Sequence, residues 1–195
     1  MKRSKWTTRS IMIIILMCAI AGIYYFMLNR TTTTEEPVEA SAITNVLARN
    51  LERNYPPTPK EVVKYFSEIT QCFYNETYTD AELEKMAEKI KEIYDDELIA
   101  NTTDEQYMRT LKSDIENFKT NQCVISSYAT SASTDVDYFS QDGYDWARLY
   151  CVYTLRKGSS LGALNQVFIL RKDADGHWKI YGWETAPDEE ETSNE

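Results

Sequence analysis

The chain has 195 residues, of which 43% are hydrophobic and 27% are charged, and its formal net charge is -10. This composition is that of a folded globular protein, long enough for one ordinary domain with additional segments, and it excludes a fully disordered chain. The first 30 residues carry five basic side chains and no acid, so the remainder is more acidic than the whole. Because an acidic domain repels phosphate backbones, we expect no nucleic-acid partner.

Residues 11–28, IMIIILMCAIAGIYYFML, form an uncharged apolar segment. As a helix this segment spans about 27 Å, close to the thickness of a bilayer core. Basic residues lie before it, in 1–10, so the positive-inside rule predicts a single-pass anchor in the cell membrane, with a cytoplasmic N-terminus and an extracytoplasmic remainder. A cleaved signal peptide is the alternative, because Ala19-Ile20-Ala21 fits the A-x-A pattern, but the apolar segment continues beyond it.

Residues 29–40 are rich in threonine, acids and proline, a composition typical of a solvated linker. We therefore predict an extracytoplasmic domain at 41–184, and an acidic, disordered tail at 185–195. The domain is expected to begin with a helix from about residue 40 to residue 54, which the following YPPTP ends because proline lacks a backbone donor. Its inward positions at helical spacing are Ile43, Val46, Leu47 and Leu51.

Three capping boxes follow, each led by a threonine whose hydroxyl can accept a hydrogen bond from the third helical amide. In each box, the Glu or Gln three residues later can bond back to the threonine amide. The boxes Thr58-Pro59-Lys60-Glu61, Thr79-Asp80-Ala81-Glu82 and Thr103-Asp104-Glu105-Gln106 predict helices that end near residues 75, 100 and 119.

After Asn121 the hydrophobic period changes from 3.6 to 2, and aromatic and β-branched residues become frequent, which predicts strands. A polar loop, STDVDYFSQDGYD, is expected at 133–145. The predicted fold class is α+β: an N-terminal transmembrane helix, then three to four helices packed on a curved antiparallel sheet of about four strands. The strands are expected at about 122–131, 145–157, 163–172 and 177–184.

Three consecutive helices before long antiparallel strands, ending in VFILRKDADGHWKIYGWE at 167–184, resemble the nuclear transport factor 2-like superfamily of cone-shaped, cystatin-like α+β domains. The resemblance covers residues 58–184 and is clearest in the final hairpin, where a charged turn with glycine precedes Trp178-Lys179-Ile180. This ending is similar to that of bacterial extracytoplasmic members. Many members have a short strand between the second and third helices, where this chain has ELIANTT.

The resemblance implies a concave pocket between the sheet and the helices, but no single activity. Members include isomerases, dehydratases and polyketide cyclases as well as noncatalytic modules, so the fold does not select a function. The enzymes typically use a carboxylate or histidine base with hydroxyl donors, and no such motif matches this chain residue by residue. The layout of one anchor and an external domain is also similar to that of assembly factors of type IV secretion systems.

Six aromatic residues on the predicted strands are candidate ligand-binding residues, since rings with polar tips suit a small organic ligand. Packing in the core or on the sheet surface is the alternative. Strand alternation predicts that Trp178 and Ile180 share one face of the last strand and that Tyr181 and Trp183 share the other. We predict no catalytic residue, metal site or cofactor, because phosphate-loop, dinucleotide, G-x-S-x-G and HExxH patterns are missing from the sequence. The six candidates are Tyr128, Tyr150, Tyr153, Trp178, Tyr181 and Trp183.

The chain's only histidine, His177, lies beside Asp173 and Asp175 in the predicted final turn. We expect an exposed turn histidine rather than a calcium loop, which would need a third ligand and a later bidentate glutamate where this chain has strand residues. The acids of the 133–145 loop are likewise expected to be solvated, with a shared cation as the alternative. These acids are Asp135, Asp137, Asp142 and Asp145.

Outside the predicted anchor, Cys72 falls on a helix, and Cys123 and Cys151 fall on strands. We expect buried free thiols, because C-x-x-C spacing and neighbouring histidines are missing. A cross-strand bridge between Cys123 and Cys151 is the alternative, in a compartment that permits disulfides.

The leading functional hypothesis is a noncatalytic, membrane-tethered extracytoplasmic domain that binds a protein partner or a small envelope ligand. Membrane lipid is expected to contact the chain through residues 11–28. One alternative is a pocket enzyme of the isomerase or hydratase type, using an acid such as Asp145 with a nearby tyrosine. A second alternative is an assembly subunit of a secretion or envelope complex.

Overall fold

The computed structural model of the protein describes residues 41–186. The predicted cytoplasmic segment, the anchor at 11–28, the linker and all but the first residues of the predicted tail therefore lie outside the described residues. Within 41–186, no helix is both long enough and apolar enough to cross a membrane.

Five helices lie in the described part of the chain, and threonine caps begin the three longest. The Thr79 and Thr103 capping boxes form both reciprocal hydrogen bonds, whereas Thr58 makes only its own half, accepting from the Glu61 amide. The predicted helix starts are thus confirmed. The helices are α1 Ala42–Ala48, α2 Pro59–Asn75, α3 Asp80–Lys91, α4 Asp96–Ala100 and α5 Asp104–Thr120.

The predicted long helix from 79 to 100 is wrong, because the chain leaves the helical conformation after Lys91. Tyr94 forms an isolated parallel bridge with Ile180 instead: the Asp95 amide donates to the Ile180 carbonyl at 2.9 Å, and the Ile180 amide donates to the Ile93 carbonyl at 2.8 Å. Asp95 then caps the short α4 by accepting from the Glu97 amide. Long-range backbone pairing outweighs local helix propensity here.

The sheet is antiparallel and has five strands, one more than predicted. Its order is β1-β3-β4-β5, and β2 pairs with the N-terminal part of β3 on the same side as β1. The strands are β1 Cys123–Thr130, β2 Asp137–Gln141, β3 Tyr144–Lys157, β4 Ser160–Lys172 and β5 Trp178–Thr185.

Strand β2 lies within the segment that the sequence predicted to be a polar loop. All five of its residues are exposed, so they lack the apolar alternation that predicts strands. A two-residue turn joins it to β3, with Asp142 at φ 52° and Gly143 at φ 82°. Asp-Gly is the usual sequence of such hairpin turns, because both central residues need positive φ. This Asp-Gly pair is therefore the sequence signal for the hairpin within an otherwise polar stretch.

The hydrophobic core lies between the helices and one face of the sheet, called the inner face. On β3 this face presents Ala147, Leu149, Cys151 and Tyr153, all buried, which confirms the predicted alternation. The opposite, outer face presents residues such as Tyr150 and Val152, which are exposed. Helix α2 packs on β1, β3 and β5, and α5 packs on β1. The predicted α+β class is therefore confirmed.

A β-bulge at Tyr181 reverses the predicted alternation of the last strand. Ile169 pairs with Gly182 and Leu170 pairs with Ile180, so Tyr181 is an extra residue without a partner in the register. Trp183 consequently pairs with Phe168, which lies on the inner face, whereas Tyr181 contacts outer-face residues. The prediction that Tyr181 and Trp183 share a face is wrong, since a bulge shifts the two-residue period by one.

Cys72, Cys123 and Cys151 are all free thiols. Cys123 pairs with Lys157 and Cys151 pairs with Thr130, so the two strand cysteines lie at opposite ends of the β1–β3 pair. Six residues of strand separate Lys157 from Cys151, about 20 Å at the usual rise. A Cys123–Cys151 bridge is therefore excluded, and burial raises the pKa of the Cys72 thiol to about 11.

Candidate functional site

A cavity of about 390 Å³ lies between the helices and the inner face. This volume falls within the range of small-molecule sites, about 300–1,000 Å³. Its wall combines eight aromatic rings with aliphatic side chains and four polar residues. The wall residues are Phe66, Thr70, Phe73, Tyr74, Ile90, Tyr94, Tyr107, Thr110, Leu111, Asp114, Phe118, Ile125, Tyr153, Leu155, Leu164, Gln166 and Trp183.

Helix α5 supplies one side of this cavity through a single stripe of residues. Residues that follow one another at intervals of three or four positions lie on the same side of a helix. Phe118, at the end of the stripe, packs on Tyr74 of α2 with 4.2 Å between ring centroids. The stripe consists of Tyr107, Thr110, Leu111, Asp114 and Phe118.

The sheet supplies the opposite wall through Tyr153 and Trp183. The Trp183 ring lies 5.0 Å from Phe66 and 5.7 Å from Tyr94, between α2 and the segment that follows α3. Tyr153 is fixed by its hydroxyl, 2.7 Å from Ser67 Oγ, which itself donates to the Val63 carbonyl. Because Ser67 uses its proton on Val63, the Tyr153 hydroxyl donates to Ser67.

The cavity tyrosines are neutral. Burial, with a smaller contribution from the Asp114 charge, raises the pKa of Tyr74 to about 12. Burial raises the pKa of Tyr94 well above its usual value, and a hydrogen bond with Tyr107 raises it further. Burial also raises the pKa of Tyr107. At neutral pH these hydroxyls offer protons and lone pairs to a ligand but no charge.

The wall includes exposed side chains, Thr110 and Asp114 on α5 and Trp183 on β5. Among the described residues of the wall, Asp114 is the only one with a formal charge. A smaller pocket of about 90 Å³ shares Tyr94, Tyr107 and Trp183 with the cavity. The site is thus an aromatic chamber with one carboxylate.

The six aromatic residues predicted from the sequence do not form one site. Tyr153 and Trp183 line the cavity, and Tyr128 lies beside Tyr153 at 6.4 Å between ring centroids without being part of the wall. Trp178 is buried and packs near Tyr138 at 5.7 Å. The remaining two, Tyr150 and Tyr181, are exposed on the outer face.

Tyr181 belongs to a separate group around Arg171, called here the outer cluster: Asp95, Glu97, Tyr144, Trp146, Arg171 and Tyr181. The Arg171 guanidinium lies 4.7 Å from the centre of the Tyr144 ring, 5.6 Å from Trp146 and 5.2 Å from Tyr181, within the range of cation–π attraction. It also donates to both Asp95 oxygens, at 2.6 and 2.9 Å, and to Glu97 at 2.7 Å. These rings surround a cation of the protein itself.

His177 and its acidic neighbours form a structured turn. Ligand atoms of Asp173, Asp175 and His177 lie within 4.8 Å of one another. However, Asp173 Oδ1 already accepts from the Asp175 and His177 amides, and the His177 ring stacks on Tyr55 at 4.2 Å. These contacts explain the arrangement as turn chemistry and packing.

The acids of the predicted polar loop do not reach the cavity wall. Asp137 pairs with Arg148 at 2.7 Å, and Asp142 occupies the β2–β3 turn. Asp145, the acid suggested for an enzyme, accepts from Ser140 at 3.2 Å in that hairpin. It lines a separate pocket of about 250 Å³ together with Tyr138 and Trp178, outside the wall of the 390 Å³ cavity.

Most of the cavity wall comes from helices, whose inward residues the sequence predicts only as core. The available signal was an excess of tyrosine next to the apolar stripes: Tyr74 beside Phe73, and Tyr107 at the start of the α5 stripe. Tyrosine at an inward position needs a partner for its hydroxyl, so it often marks a polar feature inside a core.

Comparison with known proteins identifies the family. No curated protein matches the chain. A family model described as a domain of unknown function, DUF6715, matches residues 1–183, from the N-terminal segment to Trp183 in the cavity wall. Since this match covers nearly the whole chain, the protein belongs to the DUF6715 family.

Proposed function

We propose that the protein is a noncatalytic, membrane-tethered extracytoplasmic domain of the nuclear transport factor 2-like type that binds a small, mainly apolar ligand between its helices and its sheet. The observation that carries this proposal is the aromatic cavity of about 390 Å³. A hydrophobic core normally packs without a space this large, because the side chains around an empty volume lose van der Waals contacts. An open chamber with neutral hydroxyls therefore suits a ligand.

The other parts of the proposal rest on the sequence. The apolar segment at 11–28 and the basic residues before it support a single-pass anchor in the cell membrane with the domain outside the cytoplasm. The isolated Tyr94–Ile180 bridge lies in the interval between α3 and α5, where many members of the superfamily have a short strand, although ELIANTT itself lies mostly in α4.

The test uses the full-length chain in zwitterionic lipid nanodiscs and the neutral fluorescent probe N-phenyl-1-naphthylamine. Thr110 lies on the cavity wall and is exposed, so Thr110→Trp should fill part of the cavity without disturbing the core. We expect Thr110→Trp to weaken probe binding by about tenfold or more, because a large side chain replaces ligand contacts.

Ser113→Trp is the matched control, since Ser113 is exposed on the same helix and lies outside the wall. It should bind the probe like the wild-type chain after the signal of empty nanodiscs has been subtracted. Equal affinities for all three chains, or no binding at all, would contradict the proposal.

A second candidate function, an assembly subunit of an envelope complex, is favoured by exposed tyrosines on β2 and β3. Tyr138 is 55% exposed, Tyr144 48% and Tyr150 49%. Exposed tyrosines are frequent in protein–protein interfaces. Cross-linking in native membranes followed by mass spectrometry tests this candidate, which fails if only the protein itself is recovered.

A further inference from the structure

The described residues of the cavity wall carry a formal negative charge and no formal positive charge. Among its described residues Asp114 carries a negative charge, and no lysine, arginine or histidine is present. A ligand with a carboxylate or phosphate would therefore meet a like charge without a counter-cation. A ligand with an ammonium group would meet an opposite charge and the faces of aromatic rings, both of which attract cations.

Asp114 is placed to receive such a group. It lies on the α5 stripe between Leu111 and Phe118, and its charge acts on the neighbouring Tyr74 hydroxyl. Among residues 41–186 it makes no hydrogen bond or ion pair. A carboxylate beside an aromatic chamber without a protein partner retains its full capacity to accept hydrogen bonds.

Two basic side chains adjacent to wall residues, in space or in sequence, have other partners. Lys91 pairs with Asp104 and lies over the ring of Tyr107 at 4.7 Å. Lys119, one residue after Phe118, lies over the ring of Tyr78 at 4.9 Å. Among the described residues, these two lysines thus pair with tyrosine rings or an acid beside the chamber, whereas Asp114 of the wall has no ion-pair partner.

We infer that the cavity binds an organic cation whose apolar or aromatic body fills the chamber and whose ammonium group pairs with Asp114. This inference rests on the proposed function, because it names the chemical class of ligand for the same cavity. Asp114 supplies selectivity, and the aromatic wall supplies the remaining binding energy through burial of apolar surface.

Three probes of the same size test the inference: 2-naphthylmethylamine, 2-naphthylmethanol and 2-naphthoate, which are cationic, neutral and anionic at pH 7. Their affinities for the full-length chain in zwitterionic nanodiscs are measured by isothermal titration calorimetry. We expect the amine to bind about tenfold more tightly than the alcohol, and the naphthoate to bind most weakly, since only the ammonium adds an opposite charge to the hydrogen bond that the Asp114 carboxylate can accept.

The variant Asp114→Asn should remove the preference for the amine, so that the amine and the alcohol bind with similar affinities. Glu116→Gln is the matched control, because Glu116 is an exposed acid on the same helix outside the wall, and it should keep the preference. An alcohol that binds the wild-type chain as tightly as the amine, or a preference that survives Asp114→Asn, overturns the inference while cavity binding stands. If none of the probes binds, or if Thr110→Trp affects none of them, the proposed function itself fails.

Discussion

The inner and outer faces of the sheet both carry clustered aromatic rings, but the rings have different partners. On the inner face, rings from helices and strands surround a space of about 390 Å³. In the outer cluster, three rings surround Arg171, whose guanidinium is held by Asp95 and Glu97. Aromatic content alone therefore does not identify a ligand site, because the second group already contains its cation.

The two groups also differ in what they contribute to the fold. The outer cluster joins the segment after α3 to β4 and β5 through a nearly buried ion pair, with Asp95 5% and Arg171 14% exposed at their side chains. The inner chamber lacks such a link and relies on packing and on the Tyr153–Ser67 hydrogen bond. We therefore expect the outer cluster to stabilise the fold and the inner chamber to bind.

The largest effect should come from Asp95→Ala. This change removes the main partner of Arg171 and the cap of α4, and loss of one member of a buried pair costs about 3–5 kcal/mol. Urea unfolding of the full-length chain measures the loss. Arg148→Met breaks the exposed pair with Asp137 and should cost about 0–1 kcal/mol.

The double variant Asp95→Leu with Arg171→Met distinguishes an unpaired charge from general disruption of the cluster. It should recover part of the stability lost in Asp95→Ala, since apolar residues can replace both members of a buried pair. A loss below about 1 kcal/mol in Asp95→Ala would show that the outer cluster is not a structural link.

An intermediate effect is expected at alkaline pH from the inner chamber. The folded pKa of Tyr74, about 12, lies above its ordinary value of 10.0. The contribution of Tyr74 to stability is therefore constant below pH 10 and is lost as the pH rises toward 12, by up to about 2–3 kcal/mol. Urea unfolding of the wild-type chain and of Tyr74→Phe at pH 9 and pH 11.5 should show a smaller alkaline loss in the variant. Identical losses in both chains would mean that Tyr74 ionises as readily in the folded state as in the unfolded state.

The smallest effect compares two tyrosines on opposite faces of the same strand. Tyr153→Phe removes the buried hydrogen bond to Ser67 and should lower the free energy of unfolding by about 1 kcal/mol. Tyr150→Phe changes a side chain that is 49% exposed, so a change within about 0.5 kcal/mol is expected. Thermal unfolding measures both changes. An equal loss of unfolding free energy in the two variants would show that the buried and exposed tyrosines of this strand do not differ in their contribution to stability.

The sequence predicted those parts of the fold that depend on local chemistry. Threonine caps located the starts of α2, α3 and α5, and alternation along β3 identified its buried face. Such signals are contained within a few consecutive residues, so they do not require knowledge of the rest of the chain.

The parts that failed depend on contacts between distant residues. The helix after Thr79 ends because Ile93 and Asp95 pair with Ile180, more than 80 residues later in the printed sequence. Strand β2 is exposed throughout, so only its Asp-Gly turn indicated it. The resemblance implied a pocket between the sheet and the helices, but its lining could not be predicted. The wall unites α2, α3, α5 and four strands, and only Tyr153 and Trp183 among the predicted site residues belong to it.

The bulge at Tyr181 makes the length of one short stretch a marker for the family. Because Tyr181 is an extra residue, Ile180 and Trp183 both lie on the inner face, although they are three positions apart. A family member with one residue fewer between the equivalents of Ile180 and Trp183 would place both on the inner face by simple alternation, so it would keep the tryptophan wall without a bulge. Counting residues in that stretch therefore sorts DUF6715 sequences into those that need a bulge to place this tryptophan in the chamber wall and those that do not.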